Sequence, residues 1–98
     1  MEEKINAILI SAADDVATSI VELNKGDIGK YLKNDEKVRV DITEAIPKFH
    51  KFAVRDIAKN EYVHKYGEVI GVATQDICKG SYVHEHNIAS PISGTLEN

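Results

Sequence analysis

The sequence predicts a mainly β domain of short strands, with one short helix near its N-terminus. Apolar residues come in short runs or alternate with charged residues, which is the two-residue period of strands. The segment at residues 56–66 also returns at residues 76–86, with six of eleven positions identical. Because a repeat of this length encodes one small structural unit used twice, we expect two similar strands that each carry a histidine.

The first third of the chain is predicted to hold a strand, a helix and the start of a second strand. Residues 5–10 are rich in branched apolar side chains, which is typical of a buried strand. In residues 11–23, Ser11 or Asp14 could cap a helix, and the apolar side chains of residues 16–23 fall near helical spacing. Gly26 suits the left-handed residue after a helix or in a turn, and residues 28–32 begin the next strand.

The remaining elements are predicted to be strands joined by turns. Residues 37–42 alternate charged and apolar side chains, as a half-buried strand does. Pro47 forces an extended or turn geometry before a short strand in residues 49–54. Two glycines within residues 66–74 predict a strand with a bulge. We expect an ordered core at about residues 5–88 and an extended tail at residues 89–98.

The two repeats place a lysine and a turn-forming residue at equivalent positions of a tight turn. These pairs are Lys59-Asn60 and Lys79-Gly80. Asn is the commonest replacement for Gly where φ is positive, so Asn60 keeps the turn without a glycine. Residues 22–27 follow the same order of residue types. That third pattern is short enough to be either another copy or a coincidence.

Size and charge restrict the classes of function. The 98 residues predict a single domain, and 12 basic against 16 acidic residues give a net charge of −4 with no basic run for a nucleic-acid backbone. The single cysteine, Cys78, leaves no disulfide framework and favours a reducing compartment. The acidic N-terminus has no long apolar run, so we expect a cytoplasmic protein without a signal peptide or membrane span.

The histidines of the second repeat are candidates for chemistry. Strand alternation predicts that Tyr82, His84 and His86 share one face. Two imidazoles at i and i+2 could bind a divalent metal or transfer protons near neutral pH. A histidine pair on an exposed strand is more often a plain surface feature, so both interpretations stay open at this point.

Three further candidate residues lie just before the first repeat. His50 and Lys51 are compatible with a site for a carboxylate substrate, with simple solvent exposure as the alternative. Arg55 could hold a carboxylate with two hydrogen bonds, or it could pair with Asp56 or Glu68. The chain contains no serine elbow, phosphate-binding glycine loop, CxxC pair or HExxH helix. It therefore looks incomplete as a catalyst.

Six segments, taken in order, resemble the N-terminal domain of the altronate and galactarate dehydratases. They are Ala-Asp-Asp-Val-Ala-Thr at residues 13–18, Ile-Pro at 46–47, His-Lys at 50–51, Arg-Asp-Ile at 55–57, Tyr-Gly-Glu-Val-Ile-Gly at 66–71 and Val-His-Glu-His-Asn at 83–87. The resemblance covers nearly the whole chain, from about Ala7 to Asn87. Phe49 and Asn60 depart from the family's pattern, because both stand where it commonly has glycine.

The resemblance implies a fold and a setting for the chain. The fold is the SAF-type β-clip, and residues 1–98 would form one SAF domain. In this family the domain is either fused to a large catalytic region or encoded beside it as a small subunit, and the length here matches the second form. We therefore expect a small subunit that is inactive alone and completes the active site of a large metal-dependent subunit. A homo-oligomer is also compatible with the resemblance.

The resemblance also implies a reaction, the loss of water from a sugar acid. A proton leaves the carbon next to the carboxylate, a divalent cation (iron or manganese, chiefly on the partner subunit) stabilises the enolate, and the β-hydroxyl departs. Two alternatives remain: the small subunit of a sulfolactate sulfo-lyase, which would release sulfite, and a non-catalytic SAF module for carbohydrate binding or assembly. The residues carried over are His84, His86 and His50 as catalytic groups, and Lys51, Arg55 and Asn87 as substrate-binding groups, with no metal ligand assigned.

Overall fold

A computed structural model describes residues 4–90, which form nine short strands and no helix. The predicted mainly β class is therefore confirmed. Of the predicted C-terminal tail, residues 91–98 lie outside the described part of the chain. The strands are β1 (Ala7–Ile8), β2 (Val16–Ser19), β3 (Ile28–Lys33), β4 (Glu36–Asp41), β5 (Lys51–Ala53), β6 (Tyr62–Lys65), β7 (Glu68–Ala73), β8 (Tyr82–Val83) and β9 (Ile88–Ala89).

The strands form three antiparallel sheets around two core clusters. The sheets are β1-β2-β5-β8, the hairpin β3-β4, and β6-β7-β9. The first cluster surrounds the fully buried Phe52, and the second includes Val16, Ala53, Val63 and Val83. β5 lies between β2 and β8 and contributes to both clusters. No helix within residues 4–90 could span a membrane.

The helix predicted for residues 11–23 is wrong. This segment contains β2, which is paired on both sides, with β1 and with β5. The two carboxylates that precede β2 do not cap a helix. Asp14 accepts hydrogen bonds from the backbone N–H groups of Tyr66 and Gly67, and Asp15 accepts one from that of His64. Sheet pairing and these long-range bonds override a local spacing that suited both structures.

The bulge predicted in residues 66–74 is present. β6 and β7 pair with Val63 opposite Gly71 and His64 opposite Val69, so Ile70 is an extra residue on β7. An extra residue of this kind bends a strand and increases its twist. The turn before β7 also carries Tyr66 at a positive φ of 59°.

The tight turn predicted for the two repeats occurs four times in the described chain. In each copy a Lys is followed by a residue at positive φ: Gly26 (95°), Phe49 (69°), Asn60 (78°) and Gly80 (91°). The N–H of the next residue donates to the carbonyl three positions earlier, as from Glu61 to Ala58 at 3.0 Å. This is the geometry of a type II turn. The echo at residues 22–27 is therefore a true copy, and the sequence pattern missed the copy that ends at Phe49.

Each turn also forms a β-bulge by hydrogen bonding to the residue at the end of a strand. The N–H of Gly80 donates to the carbonyl of Ala53, and the N–H of Ala53 donates to the carbonyl of Ser81, at 2.8 and 3.0 Å. This two-to-one pairing, with the first residue at positive φ, is a G1 bulge. The other three copies make the same pair of bonds to Ile42, Ser19 and Ala73. We call residues 23–27, 46–50, 57–61 and 77–81 the turn–bulge units.

The turn–bulge units associate in two reciprocal pairs. Leu23 and Ile46 exchange backbone hydrogen bonds at 2.8 and 3.0 Å, and Ile57 and Ile77 do so at 2.8 Å. All four of these side chains are buried. The second pair also makes two reciprocal side-chain hydrogen bonds. The Asp56 carboxylate accepts one from the N–H of Lys79, and the Asp76 carboxylate accepts one from the N–H of Lys59. The sequence repeat therefore encodes a local two-fold arrangement.

Two glycines at the same turn position allow the turn to be tested. A Cβ atom at Gly26 would meet no heavy atom within 4 Å, whereas one at Gly80 would overlap the carbonyl oxygen of Asp41. We expect Gly26→Ala to lower the free energy of unfolding by about 1 to 2 kcal/mol, the cost of a side chain at positive φ. Gly80→Ala should cost about 1 to 3 kcal/mol more because of the overlap. Urea denaturation measures both, and equal costs would contradict the close approach at Gly80.

Candidate active site

The three histidines predicted to be catalytic lie together around Tyr82. β5 and β8 pair with Phe52 opposite Tyr82, and the same register brings His50 beside His84. Tyr82 Oη lies 2.7 Å from His50 Nδ1. The ring centroids of His50 and His84 are 5.2 Å apart, and the Tyr82 ring stacks on His84 at 5.5 Å and lies 5.4 Å from His86. We call these four residues the histidine cluster.

The histidine cluster is suited to proton transfer. Tyr82 Oη and His50 Nδ1 are at hydrogen-bond distance, and the Nε2 atom of His50 has no hydrogen-bond partner within residues 4–90. The His84 side chain is 41% exposed, so it is accessible to a reactant. The hydroxyl of a tyrosine that is bound to one imidazole can donate or accept a hydrogen bond. The cluster therefore places acid–base groups at a solvent-accessible position beside β5 and β8.

Asn87 stabilises the turn that carries His84. Its side chain is buried, with Oδ1 accepting from the N–H of His84 at 3.0 Å and Nδ2 donating to the carbonyl of Tyr82 at 2.8 Å. β8 ends at Val83, so His84 and His86 lie in the turn that follows and not on a continuing strand. Asn87 fixes this turn. Both ends of its amide are used within the protein, which makes it a positioning residue in this structure, while its role toward substrate stays a prediction.

Lys51 and His50 adjoin different core clusters. His50 contacts Tyr82, which packs against the first core cluster. Lys51 lies beside the second core cluster, to which its cross-strand partner Val83 belongs. The Cα atom of Lys51 is opposite those of Thr18 on β2 and Val83 on β8. Burial and the charge of Lys65 both lower the pKa of Lys51. The structure thus separates Lys51 from the histidine cluster.

Arg55 is engaged by carboxylates of the protein itself. Its Nε atom lies 2.7 Å from Asp15, and its Nη1 atom lies 3.3 Å from Glu61. Nη1 also donates to the backbone carbonyl of Asp56 at 2.7 Å. Of the two sequence interpretations, the structure matches internal pairing, although the partners are neither the Asp56 carboxylate nor Glu68. Substrate binding by Arg55 remains an untested prediction.

Asp15 was not singled out for a role by the sequence pattern. It is buried, and its carboxylate accepts hydrogen bonds from Arg55 and from both the backbone and the Nδ1 atom of His64. His64 is the first-repeat counterpart of His84, and this bond holds it at 2.8 Å from the carboxylate. The adjacent acids at positions 14 and 15, in an otherwise apolar segment, were the available signal.

A metal site does not fit residues 4–90. Residues 4–90 contain no group of three or more His, Cys, Asp or Glu side chains placed to hold a metal ion. No chemical step is therefore assigned to a metal bound by these residues. The divalent metal expected on a partner subunit stays a prediction.

Comparison with known proteins identifies the family. Residues 5–91 match the sequence model described as the altronate/galactarate dehydratase SAF domain. The chain belongs to this family. The SAF domain is also 36% identical over 87 residues to the alpha subunit of (2R)-sulfolactate sulfo-lyase from Chromohalobacter salexigens. That match covers 86% of this chain and 93% of the relative. The predicted resemblance is thereby confirmed.

Removal of the Asn87 side chain should destabilise the SAF domain. In Asn87→Ala the N–H of His84 and the carbonyl of Tyr82 lose their partners, and we expect a loss of about 2 kcal/mol or more in the free energy of unfolding. Asn24→Ala is the matched control, because that side chain is exposed and makes no hydrogen bond within the described residues. Urea denaturation compares the two, and equal costs would show that the buried amide does not fix the turn.

The carboxylate of Asp15 should make the stability depend on pH. Burial alone would raise its pKa, but hydrogen bonds from Arg55 and His64 hold it below its ordinary value of 3.8. The ionised Asp15 carboxylate therefore makes its full contribution to stability above about pH 4. This contribution is lost as the pH falls through the lower pKa of the folded state. We expect the free energy of unfolding of wild type to exceed that of Asp15→Asn by about 1 to 2 kcal/mol at pH 7. This difference should become progressively smaller below pH 4.

The exposed Asp35, which forms no hydrogen bond or ion pair in the described chain, gives the control for this experiment. Chemical denaturation from pH 2 to pH 7 should show no comparable trend for Asp35→Asn. A difference between wild type and Asp15→Asn that stays constant below pH 4 would contradict a lowered pKa for Asp15.

Proposed function

We propose that this chain is the small subunit of a cytoplasmic lyase, which removes a leaving group from the β-carbon of a hydroxy acid. The histidine cluster is the observation that carries the proposal. It groups three acid–base side chains and a tyrosine hydroxyl on a domain that belongs to a dehydratase family. A larger subunit would supply the rest of the site, including any metal.

The proposed elimination needs the groups that the cluster contains. A base must remove the proton from the carbon next to the carboxylate, and an acid must protonate the departing group. His50 and His84 are the candidates for these roles, since they lie 5.2 Å apart and both adjoin the Tyr82 ring. Tyr82 would hold His50 through Nδ1 and leave Nε2 to face the reactant. Such acid–base groups contribute about 10² to 10⁴ in rate.

Two leaving groups are consistent with the comparisons. The family description names altronate and galactarate dehydratases, which favours water. The match to a protein named as the alpha subunit of (2R)-sulfolactate sulfo-lyase, over 93% of its length, favours sulfite. Both reactions would begin with the same proton removal, so the histidine cluster serves either. The match to a named subunit also supports a partner of different sequence.

The test is turnover by the assembled enzyme. The chain is co-expressed with the large-subunit gene that we expect beside it, and the purified complex is assayed with (2R)-sulfolactate, altronate and galactarate. Release of sulfite from the first, or of a keto acid from either sugar acid, identifies the leaving group. A stable complex that turns over none of them would contradict the lyase proposal and favour a non-catalytic SAF module.

Two tyrosines at equivalent repeat positions make a matched pair for the complex. Tyr82→Phe removes the hydroxyl bound to His50, whereas Tyr62→Phe removes an exposed hydroxyl with no hydrogen bond within residues 4–90. We expect kcat to fall by about tenfold or more in the first and to change by less than about twofold in the second. Equal effects would remove Tyr82 from the mechanism.

Loss of a histidine from the cluster should affect turnover and not folding. We expect His84→Gln to lower kcat by about 10²-fold. Its free energy of unfolding should change by no more than about 0.5 kcal/mol, because the side chain is partly exposed. Steady-state assays and urea denaturation measure the two quantities. Unchanged turnover would return His84 to the surface interpretation.

A further inference from the structure

The turn–bulge unit at residues 46–50 carries an unfavourable residue at its positive-φ position. Phe49 stands there, at a φ of 69°, whereas the other units have Gly26, Asn60 and Gly80. Glycine adopts this conformation without strain and asparagine tolerates it, but a bulky side chain does not. On local conformational preference alone, the turn that leads into His50 is therefore the least favourable of the four.

The same unit also differs in the residue to which it bonds, which we call its anchor residue. The anchor residues of the other three units are Ile42, Ala73 and Ala53, whose side chains are apolar. The anchor residue of the 46–50 unit is Ser19, at the end of β2, and its side chain is fully buried. Among the four anchor residues, a hydroxyl group thus stands beside the strained turn alone.

The Ser19 hydroxyl contacts both ends of this turn. Its Oγ atom lies 3.0 Å from the carbonyl oxygen of Pro47, the first residue of the turn, and 3.2 Å from that of His50, the last one. A hydroxyl has one proton to donate, so the two carbonyls share it. The backbone of Ser19 adds two bonds of 2.9 Å, one to the His50 carbonyl and one from the N–H of Phe49. Ser19 therefore holds the two ends of the turn together.

These bonds fix the backbone from which the His50 ring extends. The N–H of His50 donates to the carbonyl of Pro47 at 3.0 Å, and its carbonyl accepts from both donors of Ser19. The His50 ring reaches the histidine cluster, with Nδ1 at 2.7 Å from the Oη atom of Tyr82. A displacement of about 1 Å can cost up to about 10²-fold in rate. The geometry of the turn therefore bears directly on the histidine cluster.

The strain at Phe49 and the hydrogen bond from Ser19 are of comparable size. A bulky residue at positive φ disfavours the closed turn by about five- to thirtyfold in an equilibrium constant. One hydrogen bond favours it by about fivefold. Loss of the hydroxyl would therefore shift the population of the turn toward open conformations as long as Phe49 is present.

We propose that Ser19 is a positioning residue for His50, because its buried hydroxyl compensates for Phe49 at positive φ and keeps the 46–50 turn closed. The consequence for catalysis rests on the proposed function, whereas the coupling between Ser19 and Phe49 does not. Phe49→Gly would favour the closed turn without help from the hydroxyl. Ser19→Ala should therefore have a large effect in wild type and a small one in the Phe49→Gly background.

The coupling is tested on the full chain by NMR spectroscopy. In wild type the ring protons of His50 and Tyr82 should give nuclear Overhauser effects, because the ring centroids are 5.6 Å apart. We expect these signals to weaken by about twofold or more in Ser19→Ala and to recover in Ser19→Ala/Phe49→Gly. Unchanged signals in Ser19→Ala, or signals that stay weak in the double variant, would overturn the proposal.

Ile57→Val is the control for a general loss of stability. It shortens a buried side chain of the second core cluster, whereas Ile46 of the 46–50 unit belongs to the first cluster. The signals between His50 and Tyr82 should keep their wild-type strength in this variant. Equal weakening in Ile57→Val and Ser19→Ala would show that the signals report stability and not position, which would also overturn the proposal.

Urea denaturation measures the coupling independently of the histidine cluster. Ser19→Ala should fold, because the carbonyls of Pro47 and His50 each keep a backbone donor. Its loss of stability should be larger in wild type than in the Phe49→Gly background, and equal losses would contradict the coupling. If Ser19→Ala does not fold but the double variant does, compensation is supported. If neither folds, the hydroxyl serves the whole domain and the proposal fails.

The assembled enzyme tests the consequence for catalysis. Ser19→Ala should lower kcat by about fivefold with little change in KM, and it should change kcat by less than about twofold in the Phe49→Gly background. An equal fall in both backgrounds would contradict the positioning role. Because the coupling is measured on the chain without turnover, absence of lyase activity would defeat the proposed function and leave the coupling between Ser19 and Phe49 standing.

Discussion

The fold depends on one backbone constraint, a residue at positive φ in each of four turn–bulge units. That residue lets the turn donate to a strand end and accept from it at the same time, as Gly80 and Ser81 do with Ala53. The strands contain only two to six residues, which is too few for isolated hairpins to be stable. Reciprocal backbone hydrogen bonds between the paired turn–bulge units stabilise these short strands. Ile57 and Ile77 are buried where the units of the second pair meet.

The same plan produces two histidines with different surroundings. His64 is bound to the buried Asp15, whereas its counterpart His84 stacks on Tyr82 beside His50. The difference arises after the repeated strand, where the first copy continues into the β6–β7 hairpin and the second turns through Asn87. Repetition therefore accounts for the scaffold, and divergence immediately after it accounts for the histidine cluster.

The strands that depend on local sequence patterns could be predicted from the sequence. Strand alternation and the repeat located β3 to β8, but the helix failed because the partners of Asp14 and Asp15 lie about fifty residues away. The face shared by His84 and His86 was predicted for a continuing strand, whereas β8 ends at Val83. The second turn–bulge unit was missed because Phe49 stands where glycine would have marked it. The separation of Lys51 from His50 depends on strand pairing that no local spacing reveals.

Backbone strain in this domain occurs at two bulky residues, one of which adjoins the histidine cluster. Phe49 and Tyr66 are bulky residues at positive φ, each costing about 1 to 2 kcal/mol relative to an ordinary conformation, whereas Asn and Asp tolerate such positions. Phe49 directly precedes His50, and Tyr66 directly follows Lys65. Both rings are more than 60% exposed, with a lysine ammonium 5.0 and 3.9 Å from their centres. Glycine would relieve the strain at either position, so Phe49 and Tyr66 lower the stability of the turns that carry them.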